Sequence, residues 1–168
     1  DTELDVFSKI SEEVSIVMLQ QEIPIETNYK ILKVAKDKGI MTILDPGPPS
    51  EEFKNFPDYL KLVDFLTPNK HEAEFILGKE ITGEELEAAK EISSMGPKNV
   101  IITLGKEGVV FAGEEVGRLP SYNVNSIDPV GSGDCFNGAL AVKINQKSSF
   151  KDALNFSIYV SALSTIKQ

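Results

Sequence analysis

Short apolar runs alternate with amphipathic stretches along most of the chain. Runs rich in Val, Ile and Leu are typical of buried strands, whereas apolar residues three or four positions apart are typical of helices. The predicted strands are residues 14–20, 40–45, 62–67, 99–103, 109–112 and 118–124. The predicted helices are residues 3–11 and 25–38, followed by four helices that begin near residues 68, 82, 133 and 149.

This alternation of strands and helices predicts a doubly wound, Rossmann-like α/β domain, with a mostly parallel sheet flanked by helices. Residues 14–20 form an almost unbroken apolar run, which favours burial on both faces of a parallel sheet. The predicted core stripes of the helices are Ile31, Leu32 and Ala35; Ala88, Ile92 and Met95; Phe136, Ala139, Leu140 and Ile144; and Ala153, Phe156, Val160 and Leu163. Residues 1–168 are interpreted as a single domain.

The charge of the chain narrows the classes of partner. The 168 residues carry a formal net charge of −9, whereas nucleic acids and anionic membranes need a basic face. No apolar run approaches the ~20 residues that span a membrane. The single cysteine, Cys135, makes no internal disulfide and is consistent with the cytoplasm. Because the chain starts at Asp1 and not at Met, we expect a fragment or a processed product.

A glycine-rich turn at residues 128–134 runs directly into the fifth predicted helix. Gly131 and Gly133 allow a ligand to approach the backbone, and unpaired N–H groups at a helix start attract anions. Asp134 would face such an anion, which suits a general base for a hydroxyl that attacks phosphorus. From the residues alone, a helix start capped by Ser132 or Asp134 is about equally well supported. The turn lacks the Gly-Lys-Ser/Thr of a P-loop and the spacing of a dinucleotide-binding fingerprint.

Three further stretches carry candidate site residues, each with a structural alternative. Asn69 and Glu72 have the spacing of a helix capping box, which the residues by themselves favour over a binding site. Residues 103–108 fit a hairpin turn with glycines in special conformations. Asp45 follows a predicted parallel strand, at the end where ligands bind in open α/β sheets, although a role in the adjoining Pro-rich turn is about as well supported.

Several of these stretches are similar to motifs of one enzyme family. D-P-V-G-S-G-D-C-F-N-G-A-L, residues 128–140, closely resembles the D-T-x-G-A-G-D-x-F signature of the ribokinase-like (PfkB) carbohydrate kinases. L-T-P-N-K-H-E-A-E, residues 66–74, is similar to the L-T-P-N-x-x-E-A-E of ribokinases. V-I-I-T-L-G-K-E-G-V, residues 100–109, resembles their V-I-I-T-L-G-x-x-G-V stretch. One departure is D-P-G-P at residues 45–48, where ribokinases usually have N-P-A-P.

The resemblance implies a set of site residues. Asp134 would be the catalytic base and contact the sugar, and the backbone of Gly131, Ser132 and Gly133 would form an anion hole. ATP would be bound by Asn69, Thr103, Leu104, Gly105, Lys106, Glu107, Gly108 and Gly133. Glu72 would hold Mg²⁺ through water, and Asp128 with the Val130 carbonyl would form half of a monovalent-cation (K⁺) site.

The resemblance also implies a ribokinase-like fold that is incomplete. It runs from about residue 14 to the end of the chain, and the family's N-terminal strands, sugar-binding signature and β lid have no counterpart here. We expect ATP-dependent phosphorylation of a sugar hydroxyl, foremost that of D-ribose to D-ribose 5-phosphate. The partners would be ATP and a small sugar, with a homodimer possible for the full-length enzyme and little activity for the fragment.

Three alternatives stay open. The first is another PfkB kinase, acting on fructose, a ketodeoxy acid, a sugar phosphate or a nucleoside. The second is a non-catalytic ATP-binding module, should the chain be complete. A NAD-dependent Rossmann enzyme is weaker, because its glycine fingerprint is missing after the first strand.

Overall fold

A computed structural model of the chain describes Phe7, Lys9, residues 13–56 and residues 58–166. The predicted helix over residues 3–11 lies almost entirely outside the described residues. The remaining predicted elements fall within them.

One six-stranded sheet forms the centre of the described structure. Its strands are β1 (Ile16–Gln20), β2 (Met41–Asp45), β3 (Phe65–Leu66), β4 (Asn99–Thr103), β5 (Val109–Ala112) and β6 (Gly117–Leu119). They are arranged in chain order, β1 to β4 being parallel and β5 and β6 antiparallel to their neighbours. The parallel strands therefore have their carboxyl ends at one edge of the sheet.

Five α-helices in the described part of the chain cover both faces of this sheet. They are α1 (Ile25–Lys38), α2 (Lys70–Leu77), α3 (Glu85–Ser94), α4 (Ser132–Asn145) and α5 (Phe150–Ser164). The first three pack in one apolar core and the last two in the other. Alternate residues of β4 supply both cores, because Val100 and Ile102 point to the first and Ile101 to the second. This arrangement confirms the predicted α/β architecture with a mostly parallel sheet.

None of the helices in the described part of the chain is long and apolar enough to cross a membrane.

Three strand predictions differ from the structure. Residues 62–67 contain only the short β3, because Leu60–Leu62 form a 3₁₀ turn. Residues 118–124 contain only the end of β6. The predicted burial of the first strand on both faces is wrong, since β1 lies at the edge of the described sheet and Met18 is 44% exposed.

Two predicted helix stripes also need correction. Met95 follows the last residue of α3 and is exposed instead of buried. On α5 the residues that face the core are Ala153, Leu154, Ser157, Ile158 and Ala162. Phe156 and Leu163, which belong to the predicted stripe, are exposed. The stripe of α4 is confirmed, with Phe136, Ala139 and Leu140 buried and Ile144 partly buried.

Candidate active site

The turn before α4 brings backbone N–H groups and a carboxylate to the carboxyl edge of the sheet. Gly131 has a left-handed conformation (φ 75°) and caps α4. Val130 N–H donates to Asp128 Oδ1 (2.9 Å) and Ser132 N–H donates to the Pro129 carbonyl (3.1 Å). Among the residues that the structure describes, neither Gly131 N–H nor Gly133 N–H has a protein acceptor. Two of the three expected anion-hole donors are thus available to a ligand, whereas the N–H of Ser132 is used within the turn.

Asp134 lies in the first turn of α4 and is exposed. Its Oδ1 accepts a hydrogen bond from Gln20 Nε2 (2.9 Å), and its Oδ2 lies 4.0 Å from the position that a Cβ on Gly131 would occupy. The carboxylate therefore sits beside the glycine turn, with one side open. The expected role of Asp134 as a catalytic base stays a prediction.

Asn69 and Glu72 form the capping box that their spacing predicts at the start of α2. Glu72 N–H donates to Asn69 Oδ1 (2.9 Å), and Asn69 N–H donates to Glu72 Oε2 (2.8 Å). Asn69 Nδ2 donates to the other Glu72 oxygen (2.7 Å). The local structural interpretation of this pair is thus confirmed, and its expected binding role stays a prediction.

Glu72 and Asp45 form a close pair of carboxylates. A Cβ on Gly47 would lie 2.8 Å from Glu72 Oε1 and 3.2 Å from Asp45 Oδ1, so both carboxylates closely approach this glycine. Burial raises the pKa of both carboxyl groups, and the charge of Asp45 raises the pKa of Glu72 further. The Gly47 N–H opposes this effect by donating to Asp45 Oδ1 (3.0 Å), which lowers the pKa of Asp45. A bound cation would reduce the electrostatic repulsion between the carboxylates of Asp45 and Glu72.

The carboxylate pair fits Mg²⁺ held partly by water and by a ligand. Mg²⁺ prefers oxygen ligands, keeps several waters and is commonly bound by one or two carboxylates together with substrate phosphates. No cluster of three or more metal-binding side chains occurs within the described residues, so they build no all-protein cage. Asp45 and Glu72 would accordingly contact Mg²⁺ through its waters.

The expected monovalent-cation site is present only as two oxygen donors. Asp128 is half-buried, its N–H donates to the Thr165 carbonyl (3.0 Å), and its carboxylate is already engaged by Val130 N–H. Val130 is 84% exposed. These two residues are compatible with half of such a site, whose role stays a prediction.

The predicted nucleotide loop after β4 divides into residues that face a cavity and residues that do not. Gly105 and Lys106 line a cavity of about 590 Å³. Thr103 and Gly108 line a smaller cavity of about 80 Å³ together with Ser132 and Gly133. Leu104 packs against the first apolar core and Glu107 is exposed, so neither side chain lines these cavities. The predicted hairpin with special glycines is confirmed, since Leu104 N–H donates to the Gly108 carbonyl (2.8 Å).

The large cavity has the size of a small-molecule site. Its wall on one side is the segment after β6, and on the other side the last turns of α5. The lining residues beyond the predicted loop are Ser121, Tyr122, Asn123, Val124, Ser126, Pro129, Ser132, Ser161, Ala162 and Thr165. This lining combines apolar side chains with several hydroxyl groups.

A third cavity, of about 50 Å³, joins the parts of the site. It is lined by Asp45, Thr67, Asn69, Glu72, Thr103, Gly133, Phe136 and Asn137. Thr103 N–H donates to the Pro68 carbonyl (2.9 Å), which fixes the capping box beside the end of β4. The structure therefore brings Asn69, Glu72, Thr103 and Gly133 together, although they come from three separate stretches of sequence.

Two polar residues of the site have no counterpart among the sequence predictions. Gln20 ends β1 and contacts Asp134, and Asn137 Nδ2 donates to Asp45 Oδ2 (3.1 Å). Gln20 could have been noted as a polar residue that ends an apolar strand. Asn137 lies on the buried side of α4, where a polar residue between Phe136 and Ala139 was the available signal.

Comparison with known proteins places this chain in a family. Residues 3–168 match the family model described as pfkB family carbohydrate kinase. A ribokinase of Lactococcus lactis is 35% identical over 164 residues, which are 97% of this chain and 51% of that protein. The crystal structure of a ribokinase from Thermotoga maritima has a TM-score of 0.83 at 30% identity, covering 98% of this chain and 53% of that one. The structure of an Arabidopsis thaliana ribokinase complexed with ribose and ATP has a TM-score of 0.83 at 26% identity, covering all of this chain (100%) and 54% of that one.

The chain thus has a ribokinase-like fold and spans about half the length of the relatives it matches. The family model covers all but the first two residues of this chain. On these grounds the chain belongs to the pfkB family of carbohydrate kinases.

Proposed function

We propose that the complete protein phosphorylates a sugar hydroxyl with ATP, and that D-ribose is its substrate. The observation that carries this proposal is the position of Asp134, which lies beside two unpaired backbone N–H groups at the start of a helix. These groups stand between a cavity of nucleotide size and a pair of carboxylates suited to Mg²⁺.

Asp134 acts as the base in the proposed reaction. The sugar hydroxyl gives its proton to the Asp134 carboxylate as its oxygen bonds to the γ-phosphorus of ATP. The bond from that phosphorus to the β,γ-bridging oxygen breaks, and ADP leaves with the bond's electron pair. The N–H groups of Gly131 and Gly133 stabilise the charge on the transferring phosphoryl group, and preorganised donors of this kind are often worth about 3 kcal/mol each.

The nucleotide lies along the loop after β4 in this proposal. The base and ribose occupy the large cavity beside Gly105, and the triphosphate runs past Lys106 and Thr103 toward Gly133. Asn69 orients the triphosphate from the start of α2. Bound Mg²⁺ supplies neutralisation of the triphosphate charge. Asp128 and the Val130 carbonyl contribute to a K⁺ site that adjoins the turn.

Ribose is proposed on the names of the relatives, of which this chain spans about half the length. Asp45 stands where ribokinases usually have Asn, so other sugars belong in the test. We expect D-ribose to have the highest kcat/KM in a panel with 2-deoxyribose, fructose, a ketodeoxy acid, fructose 6-phosphate and adenosine. A higher kcat/KM for another member would reassign the substrate within the family.

The 168 residues alone are proposed to have little kinase activity. Phosphoryl transfer depends on positioning both reactants and excluding water, and this chain spans only 51% of the Lactococcus lactis ribokinase. The complete protein is proposed to be cytoplasmic and to form a homodimer. Kinase activity should be high in the complete gene product and at least 100-fold lower in the 168-residue chain. ATP binding without turnover in the complete product would instead favour a non-catalytic nucleotide-binding module.

Asp134→Asn in the complete gene product tests the catalytic assignment. We expect turnover to fall about 1,000-fold or more, since general bases contribute about 10²–10⁴. The KM for ATP should stay within a factor of about three, because the amide keeps the shape of the side chain. Asp152→Asn is the matched control, since Asp152 lies in the first turn of α5 and is exposed. Substantial turnover by Asp134→Asn would remove Asp134 from the role of base.

A further inference from the structure

Gln20 is the one described side chain that holds the proposed base. It is the last residue of β1 and pairs in register with Asp45, the last residue of β2. Its Nε2 donates to Asp134 Oδ1 at 2.9 Å, across 114 positions of sequence. No other side chain in the described ranges makes a hydrogen bond to the Asp134 carboxylate. The orientation of Asp134 therefore depends on one donor.

The backbone of Gln20 is well anchored, so its amide starts from a fixed point. The Gln20 carbonyl accepts a hydrogen bond from Asn28 Nδ2 (2.8 Å), and Asn28 is completely buried on α1. The next residue, Gln21, donates its N–H to the Gly47 carbonyl (2.9 Å). Both contacts fix the end of β1 beside the turn that follows β2.

The Gln20 amide lies between two carboxylates. Asp45 is half-buried, and burial raises its pKa, while the Gln20 amide lowers that pKa and the charge of Asp134 raises it. Asn137 Nδ2 holds Asp45 from the other side. A cavity of about 150 Å³ opens here, lined by Met18, Leu19, Gln20, Ile43, Asp45, Asp134 and Asn137.

A neutral amide is suited to this position because its N–H donates a hydrogen bond to the Asp134 carboxylate and adds no charge beside Asp45. By engaging Asp134 Oδ1, it leaves Oδ2 on the side of the glycine turn. Without that donor, the exposed Asp134 side chain can rotate away from the turn, and misplacement of a catalytic group by about 1 Å can cost 10²-fold in rate.

We propose that Gln20 is a positioning residue that holds the Asp134 carboxylate in the orientation needed to accept the proton of the sugar hydroxyl. This inference rests on the proposed function and assigns a role to a residue outside its motifs. Gln20 acts by donating a hydrogen bond and not by filling space.

The test compares Gln20→Ala with Gln20→Glu in the complete gene product. Glutamate keeps the shape of glutamine but carries no N–H donor and adds a negative charge beside Asp134. We expect kcat to fall about tenfold for the alanine variant and about 100-fold for the glutamate variant, as for a lost hydrogen bond without and with added repulsion. The KM for ATP should stay within a factor of about two, because Gln20 lines neither nucleotide cavity.

Gln146→Glu is the matched control, with the same change of charge. Gln146 follows α4 and is exposed, so we expect an unchanged kcat. If Gln20 merely filled space, the glutamate variant would be the more active of the two. A higher kcat for Gln20→Glu than for Gln20→Ala would overturn the inference. So would kcat values of both variants within twofold of the unchanged protein.

A second measurement detects the contact without turnover. The side-chain amide signal of Gln20 in a ¹⁵N NMR spectrum of the complete protein should shift in Asp134→Ala and stay in place in Asp152→Ala. An unmoved signal in Asp134→Ala would contradict the hydrogen bond.

The kinetic results separate this inference from the proposed function. If Asp134→Asn is inactive while the Gln20 variants have normal activity, only the inference about Gln20 fails. If Asp134→Asn stays active, the proposed assignment of Asp134 as the base fails.

Discussion

Two glycine-bearing turns meet at the candidate site, and their glycines serve different purposes. Gly108, at the end of the loop after β4, has φ 89°, and a Cβ there would lie 2.0 Å from the Leu119 carbonyl oxygen. Gly133, in the first turn of α4, would carry a Cβ with no heavy atom within 4 Å. The fold itself excludes a side chain at Gly108, whereas nothing in the described protein excludes one at Gly133.

The contrast separates a glycine needed for packing from a glycine that leaves room for a ligand. Gly108 and Gly133 both belong to stretches that resemble nucleotide-binding motifs, so the sequence alone does not distinguish their roles. The open space beside Gly133 adjoins Asn69, Glu72 and Thr103, where the triphosphate is proposed to lie. Substitutions that affect stability and ligand binding separately can test this distinction.

The largest effect on stability is expected for Gly108→Ala. The new Cβ would overlap the Leu119 carbonyl, and the positive φ is unfavourable for alanine, so unfolding should become easier by about 3 kcal/mol or more. Denaturant titration of the complete protein measures this change. A loss below about 1 kcal/mol would show that the β6 segment moves aside easily and would weaken the contrast.

Gly133→Ala should weaken ATP binding without reducing the stability of the protein. Alanine is the better helix former, so stability should stay equal or rise by up to about 0.5 kcal/mol. ATP affinity should fall about tenfold or more, because the methyl group occupies the proposed phosphate approach, and calorimetric titration with the Mg²⁺ complex of ATP measures it. Unchanged affinity would mean that the space beside Gly133 is not used by the nucleotide.

Asn69→Ala and Ser149→Ala extend the comparison to two helix caps. Each removes a side chain that accepts a backbone N–H at a helix start, on α2 and α5 respectively, and each should cost about 1 kcal/mol of stability. Only Asn69→Ala should also weaken ATP binding, because Ser149 lies outside the site. Equal ATP affinity in the two variants would show that Asn69 caps α2 but does not contribute to ATP binding.

The smallest effect is expected for Asp45→Asn and depends on pH. The folded-state pKa of Asp45 is raised above its ordinary value of 3.8, so folding favours the protonated form. The stability contributed by this group is full below the unfolded pKa and is lost as pH rises through the folded pKa. Asparagine stays neutral at every pH, so it does not carry this pH-dependent loss of stability.

Asp45→Asn should therefore equal the unchanged protein in stability near pH 3.5 and exceed it at pH 7, with a melting temperature higher by a few degrees (on the order of 2–4 °C). Thermal unfolding at both pH values measures the difference. Asp37→Asn, at an exposed position on α1, is the control for the removal of one negative charge. A stability gain for Asp45→Asn that is equal at both pH values would contradict the electrostatic explanation.

The helix α5 shows where sequence patterns stop being informative. Apolar residues lie on most of its sides, so two stripes fit helical spacing, one with Phe156 and Leu163 and the other with Leu154 and Ile158. Packing against α4 selects the second stripe, which includes the small residues Ala153, Ser157 and Ala162. Small residues allow two helices to approach closely, and that preference depends on the partner helix.

The edge strand β1 shows a related limit. Its apolar run correctly predicts a strand in a parallel sheet, because local composition reports strand propensity. The number of its neighbours is a property of the assembled sheet, in which β1 pairs only with β2 among the described residues.

The sequence by itself determined the order of strands and helices, the glycine turn before α4, the capping box at Asn69 and the resemblance to carbohydrate kinases. All of these depend on residues close together in the chain, where spacing and backbone preference suffice. Tertiary structure alone decided that Gln20 contacts Asp134, that Asp45 lies against Glu72, and which glycine leaves open space. Those contacts join distant segments, and they exist only because parallel strands bring their carboxyl ends to one edge of the sheet.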